Sequence, residues 1–161
     1  MPGSYISLPE RFKIVQGTID NGTTAQIVSD VVSLKNAQMC WIIVHLDTIA
    51  SSGCLVTPMR ATAVAPTGGV VLANTVPIWV NANTAASDTL VREATDALNY
   101  TTAGNAFYKM LVFEIDPANL GGVYDCVYVT TGALAITESV CVEFLIETRY
   151  PQATPPAAIT D

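Results

Sequence analysis

SVCVEFLIET, Ser139 to Thr148, is the run whose reading decides the fold. Its even positions Val140, Val142, Phe144 and Ile146 are all apolar. The odd positions Ser139, Cys141, Glu143, Leu145 and Glu147 are mixed. Side chains alternate across a strand, so this period of two predicts a strand with one core face. The same period recurs along the chain. In YKMLVFEID (Tyr108–Asp116), Leu111, Phe113 and Ile115 share one face and Met110 and Val112 the other, which predicts burial on both sides as far as Glu114. MCWIIVHL (Met39–Leu46) likewise reads as central and two-sided. RFKIVQGTI (Arg11–Ile19), IVSDVVSL (Ile27–Leu34) and VYDCVYVT (Val123–Thr130) complete the clear strands, all rich in β-branched and aromatic residues. Trp41, Ile43, Phe113 and Phe144 are the expected core aromatics and aliphatics.

Turn signals separate these runs: Asn21-Gly22, Ser52-Gly53, Gly68-Gly69, Asp116-Pro117 and Gly121-Gly122. Weaker strands are expected at Leu55–Met59, Val70–Ala73, Pro77–Val80 and Thr89–Glu93. Many short strands with no strand–helix alternation indicate an all-β antiparallel sandwich, with a jelly roll as the specific arrangement. Ser87 to Tyr100 has a competing helical reading, with Ser87 as N-cap and Leu90, Ala94 and Leu98 on one stripe. Thr89, Val91, Thr95 and Thr101 oppose it, so an extended strand plus loop is expected.

The chain has 161 residues, enough for one domain that buries about 70% of its unfolded surface without staples. The boundaries read as an N-terminal arm over residues 1–10, a sandwich over 11–148, and a Pro-rich extended arm over 149–161. Only 13% of residues are charged, with a net charge of −7. Low charge favours assembly over a lone enzyme. The seven basic residues form no stripe that would hold phosphates, so nucleic-acid and anionic-membrane partners are not expected. No secretory signal is legible and the longest apolar run is far too short for a membrane span, so a soluble protein made in a cytosol is expected.

The residue types for chemistry are sparse. His45 is the single histidine and sits in an apolar strand, which reads as a sheet-face or core residue. Cys40, Cys54, Cys126 and Cys141 show no metal spacing, and read as small buried hydrophobes rather than ligands or disulfides. No phosphate-cradling glycine motif and no calcium loop is present. Glu143 and Glu147 share a strand face but lie about 13 Å apart, too far for a glycosidase pair. Asp88, Glu93 and Asp96 read as solvated charge. Trp79, Tyr100 and Tyr108 would make a sugar platform only if brought onto one face. Neither an enzyme nor a cofactor is expected.

Several blocks together resemble a known family: VSLKNAQMCWIIVHL (Val32–Leu46), VPIWVNANTAASDTLVRE (Val76–Glu93), VFEIDPANL (Val112–Leu120), YDCVYVTTGA (Tyr124–Ala133) and RYPQATPPAAITD (Arg149–Asp161). They resemble small structural proteins of tailed bacteriophages, the head decoration or cement proteins. The resemblance covers about three quarters of the chain. It implies a non-enzymatic β-sandwich on the capsid exterior, made in the host bacterial cytoplasm, with the major capsid protein as partner and often a homotrimer. Under it the tail becomes a docking arm. Tyr150, Pro151, Pro155, Pro156 and Ile159 are its candidate contacts, and the loop at Ala85 and Asp88 is a candidate self-interface. The alternatives are a carbohydrate- or receptor-binding module of a virion appendage, and a jelly-roll shell subunit.

Overall fold

A computed structural model of the chain describes residues 8–21, 25–47, 53–65, 68–105, 107–134 and 138–150. A helical turn α1 (Leu8–Arg11) leads into β1 (Phe12–Asn21). Then come β2 (Gln26–Val28), β3 (Val32–Ser33), β4 (Ala37–Asp47), β5 (Leu55–Ala61), β6 (Val70–Val71), β7 (Ile78–Asn81), β8 (Val91–Arg92) and β9 (Tyr100–Thr101). The last strands are β10 (Lys109–Ile115), β11 (Cys126–Ala133) and β12 (Ser139–Thr148), with a 3₁₀ turn at Pro117–Leu120. The first sheet runs β1-β12-β4-β10-β7-β8. The second runs β2-β11-β5-β6, with β3 also on β11 and β9 also on β5. Every pairing is antiparallel. The expected all-β sandwich is what the chain forms.

The alternation of Ser139–Thr148 carries through to packing. Val140, Val142, Phe144 and Ile146 are each 1% exposed or less, as are Cys40, Ile42, Val44 and Leu46 on β4 and Leu111, Phe113 and Ile115 on β10. These meet Ile27, Val32, Val56, Val127 and Val129 of the second sheet in one continuous core. Ile42 stands directly opposite both Phe113 and Phe144, so the two rings flank it at the centre.

Several sequence expectations need correction. Trp41 and Ile43 are not in the core. They point to the outer side of the first sheet and are half-buried, as are Met110 and Val112. The central strands therefore have one dry face, because no second layer of described chain covers the other. IVSDVVSL breaks into β2 and β3. At Ser29 the hydroxyl accepts from Val129 N (2.9 Å) in place of a backbone carbonyl, and Asp30 N turns away to Gly17 O (2.9 Å). β11 starts at Cys126 rather than Val123, because Gly121 and Gly122 adopt φ of 73° and 61° and hold the preceding residues in a turn. Leu8–Arg11 is helical although the first ten residues read as an arm.

Ser87–Tyr100 is extended, as expected. Arg92 and Asp96 do form an ion pair four residues apart (2.7 Å), yet the segment supplies β8, a bridge from Ala97 to Val76, and β9. The expected turn at Asp116-Pro117 also forms, with Asp116 Oδ1 accepting from Ala118 N (2.9 Å).

Candidate interaction surface

Strand register places opposite residues on the same side of a sheet. Across the first sheet this builds two outer rows. One reads Ile14, Leu145, Trp41, Glu114; the next reads Gln16, Glu143, Ile43, Val112, Trp79, Arg92. Phe12 and Met39 extend the patch at one end, and Met110 at the other. Ile14 is 54% exposed, and Leu145, Trp41, Ile43, Val112 and Trp79 are half-buried. With strands about 4.8 Å apart and a rise of about 3.4 Å per residue, the apolar patch covers on the order of 500 Å². That lies near the upper end of what a monomer leaves uncovered.

Polar groups border this surface. Arg11 holds Glu147 at 2.6 Å and lies over the Phe12 ring, whose edge meets Trp41 at 6.0 Å between centroids. Among the described residues the ion pairs are Arg11–Glu147, Lys35–Asp125 and Arg92–Asp96. Glu114 and Glu143, beside Trp41 and Ile43, have no cationic partner among them.

The second sheet differs. Its outer side carries Cys126, Tyr128, Ala61 and Met59, which with Val31 form a small cluster of their own. Tyr128 is only 4% exposed. Gly69 lies so close over it that a Cβ there would fall 2.0 Å from the phenol oxygen. Arg60 ties the same end together by donating to Val71 O and Leu120 O and stacking 4.2 Å from the Tyr124 ring. The Tyr128 end of this sheet is covered by its own chain, while Val28 and Val71 on the same side stay exposed.

A cleft of about 280 Å³ opens at one end of the first sheet, lined by His45, Asp47, Thr84, Tyr108, Met110, Ser139 and Cys141. Cys141 stands opposite His45, and Ser139 opposite Asp47, with Ser139 Oγ 3.5 Å from the carboxylate. A thiol beside an imidazole attacks carbonyls only as thiolate. Burial, and then the charge of Glu143, push the Cys141 thiol up instead, so it stays protonated at neutral pH. Among the described residues no hydrogen bond joins Asp47 to His45. Lys109 is 2% exposed, and its Nζ donates to Asn105 O (2.8 Å) and Phe107 O (2.9 Å). Burial lowers its pKa while Glu138 opposes the shift. Its amine is committed to holding the cleft wall.

The other thiols are free and buried, and burial raises each: Cys54 and Cys126 to about 11, and Cys40 strongly. They fit the reading as small hydrophobes. Cys141 departs from it, being half-buried on the outer side. Among the described residues no three His, Cys, Asp or Glu side chains are grouped to hold a metal, and no helix is long and apolar enough to cross a membrane.

The residues expected to make contacts are scattered. Ala85 and Asp88 are exposed on a loop wired by its asparagines: Asn81 Nδ2 donates to Ser87 O (2.6 Å) and Asn83 Oδ1 accepts from Ala85 N (3.2 Å). Tyr150 is 75% exposed, just after Arg149, whose N and Nε donate to Asn36 O and Ala37 O. The Ala85 loop is tied to Tyr108 near the Asp47 end of β4, and Tyr150 lies near the Ala37 end, so the two are about 30 Å apart. Pro151, Pro155, Pro156 and Ile159 lie outside the described residues. Trp79, Tyr100 and Tyr108 do not converge either: Trp79 is on the first sheet, Tyr100 pairs with the second, and Tyr108 rims the cleft. The surface that sequence reasoning missed is the one built by Ile14, Trp41, Ile43, Val112 and Leu145. Its trace in the sequence was the apolar second face of β4, read there as buried. Compared with known proteins, the chain matches no family model, no curated protein and no solved structure.

Proposed function

We propose that this is a non-enzymatic structural protein of a phage virion, which binds the outside of the capsid as a decoration or cement protein and stabilises contacts between capsomers. The observation that carries this reading is the uncovered apolar side of the first sheet. A protein that acts on a small molecule needs a concave, chemically equipped site. Among the described residues the chain instead leaves a broad apolar sheet face. The cleft near His45 has a protonated thiol and a tethered lysine, and a second of about 370 Å³, beside Asn81, Ser87, Glu93 and Tyr100, is lined by no histidine, cysteine or lysine. Many weak contacts on a lattice add through effective concentration, so a patch of this size serves a decorating subunit better than a solitary binder.

The strand order supports the same class of protein. β1 pairs with β12, β2 with β11, β4 with β10 and β5 with β6. First pairs with last, second with second-last, and so inward, which is a long hairpin rolled into two sheets. We infer a jelly roll from this nesting, with β7 and β8 added beyond β10 at one edge. Aliphatic side chains dominate the uncovered side, and the Phe12 ring already meets Trp41, which weighs against a glycan platform.

The test uses purified protein and preformed heads that lack it. The reading predicts saturable binding to the heads and increased resistance of the heads to heat. In solution light scattering should report a homotrimer, about three times the 17.0 kDa chain. Deletion of Pro151–Asp161 should leave the melting temperature unchanged and reduce capsid occupancy, the role proposed for the tail. Heads that bind no protein at any concentration would overturn the reading.

A further inference from the structure

We infer that the outer side of the first sheet is the side that seats on the shell, and that it takes a protein surface whose apolar strip is bordered by arginine or lysine. This rests on the decoration reading and gives it a face and a partner chemistry. Two observations choose the face. The outer side of the second sheet is covered over Tyr128 and leaves only separate residues such as Val28 and Val71 exposed, whereas on the first an exposed Ile14 continues into the half-buried row of Leu145, Trp41, Ile43 and Val112. On that side the edge of Phe12 meets Trp41, and the described residues add no second layer beyond it.

Charge chooses the partner. Glu114 and Glu143 stand among these apolar residues with no cation among the described residues to pair them. A second copy placed face to face would set these carboxylates against each other, between subunits that each carry a net charge of −7. Like charges desolvated together at an interface cost several kcal/mol. A basic border on the partner converts the same two carboxylates into attraction, and apolar contact supplies the remainder. The patch, on the order of 500 Å², falls short of the roughly 800 Å² that one side of a standard stable interface buries. Each seat is therefore weak alone and depends on neighbouring seats.

The experiment measures occupancy of heads lacking the protein, as a function of salt, for four proteins. These are wild type, Glu114→Gln/Glu143→Gln, Ile14→Ser/Leu145→Ser, and a control, Val28→Ser/Val71→Ser, on the second sheet. Melting temperature and light scattering confirm that each remains folded and keeps its oligomeric state. The expected result is at least tenfold weaker binding for both first-sheet variants, unchanged binding for the control, and a shallower salt dependence for the Glu→Gln variant than for wild type. Wild type that binds while the first-sheet variants bind equally well sinks the face assignment alone. Wild type that fails to bind sinks the decoration reading and this inference with it. First-sheet variants that fall apart to monomers show that the face joins copies of the chain, and glycan-array binding lost in them shows a sugar site; either overturns the proposal.

Discussion

Phe113 and Phe144 meet across Ile42, each with no exposed surface, so truncating either ring opens a cavity that the surrounding strands cannot close. Phe113→Ala or Phe144→Ala should cost about 3–5 kcal/mol in denaturant melts. Gly17 belongs to the same packing, because a Cβ there would lie 2.5 Å from Phe144 Cε2, at the point where the β1 register slips by one residue. Gly17→Ala should therefore displace the ring and cost about 1–3 kcal/mol. The cysteines divide by position. Cys40, Cys54 and Cys126 should react with thiol reagents only on unfolding. Cys141 should label in the native protein, slowly at neutral pH and faster in alkali, since its thiol is pushed up. Labelling of Cys126 at the Cys141 rate would contradict this placement.

At the scale of elements, one side chain makes two of the bonds that hold the stretch between β9 and β10. Lys109 donates to the carbonyls of Asn105 and Phe107, and the chain there contributes Tyr108 to the cleft wall. Lys109→Met keeps the stem and removes the donors, leaving carbonyls unsatisfied at about 1–3 kcal/mol each where water cannot replace them. The expected outcome is faster amide exchange and proteolysis confined to residues 103–108, with β4 and β12 still protected. Loss of protection throughout the first sheet would show that the lysine supports the core instead. The neighbouring loop at Ala85 needs no such clamp, because Asn81 and Asn83 wire it locally.

For the whole molecule the thiols set an alkaline limit. Unfolded, a cysteine ionises near pH 9; in the fold, burial holds the protons of Cys54 and Cys126 to about pH 11. Between those values the native state binds more protons than the unfolded chain, so stability falls as pH rises. Cys40 and Cys141 act in the same direction. Lys109 acts in the opposite one, because its lowered pKa lets the native state release a proton that the unfolded chain keeps. With four thiols and the phenols of Tyr100 and Tyr128, which burial also pushes up, against one amine, the melting temperature in reductant should drop steadily from about pH 9 to about pH 11. Cys54→Ala/Cys126→Ala should flatten that slope, and an unchanged slope would locate the alkaline transition elsewhere.

The alternation in SVCVEFLIET and MLVFEI already placed Val142, Phe144, Leu111 and Phe113 on a core face, because a strand presents every second side chain to one side whatever surrounds it. The same rule made the all-β sandwich legible, while at Ser87–Tyr100 it was the β-branched Thr89, Val91, Thr95 and Thr101 that pointed to an extended run. The rule stopped at the second face of β4. Trp41 and Ile43 are as apolar as Ile42 and Val44, and period two says only that they face the other way, not what covers them. That was decided by tertiary structure: among the described residues the chain folds back over Tyr128 on one sheet and lays no second layer over Trp41 and Ile43 on the other. Glu114 and Glu143 become neighbours of Trp41 and Ile43 only through the pairing of β10 and β12 with β4, contacts between residues about seventy to one hundred positions apart. Local sequence fixes which way a side chain points, but long-range pairing determines what it meets.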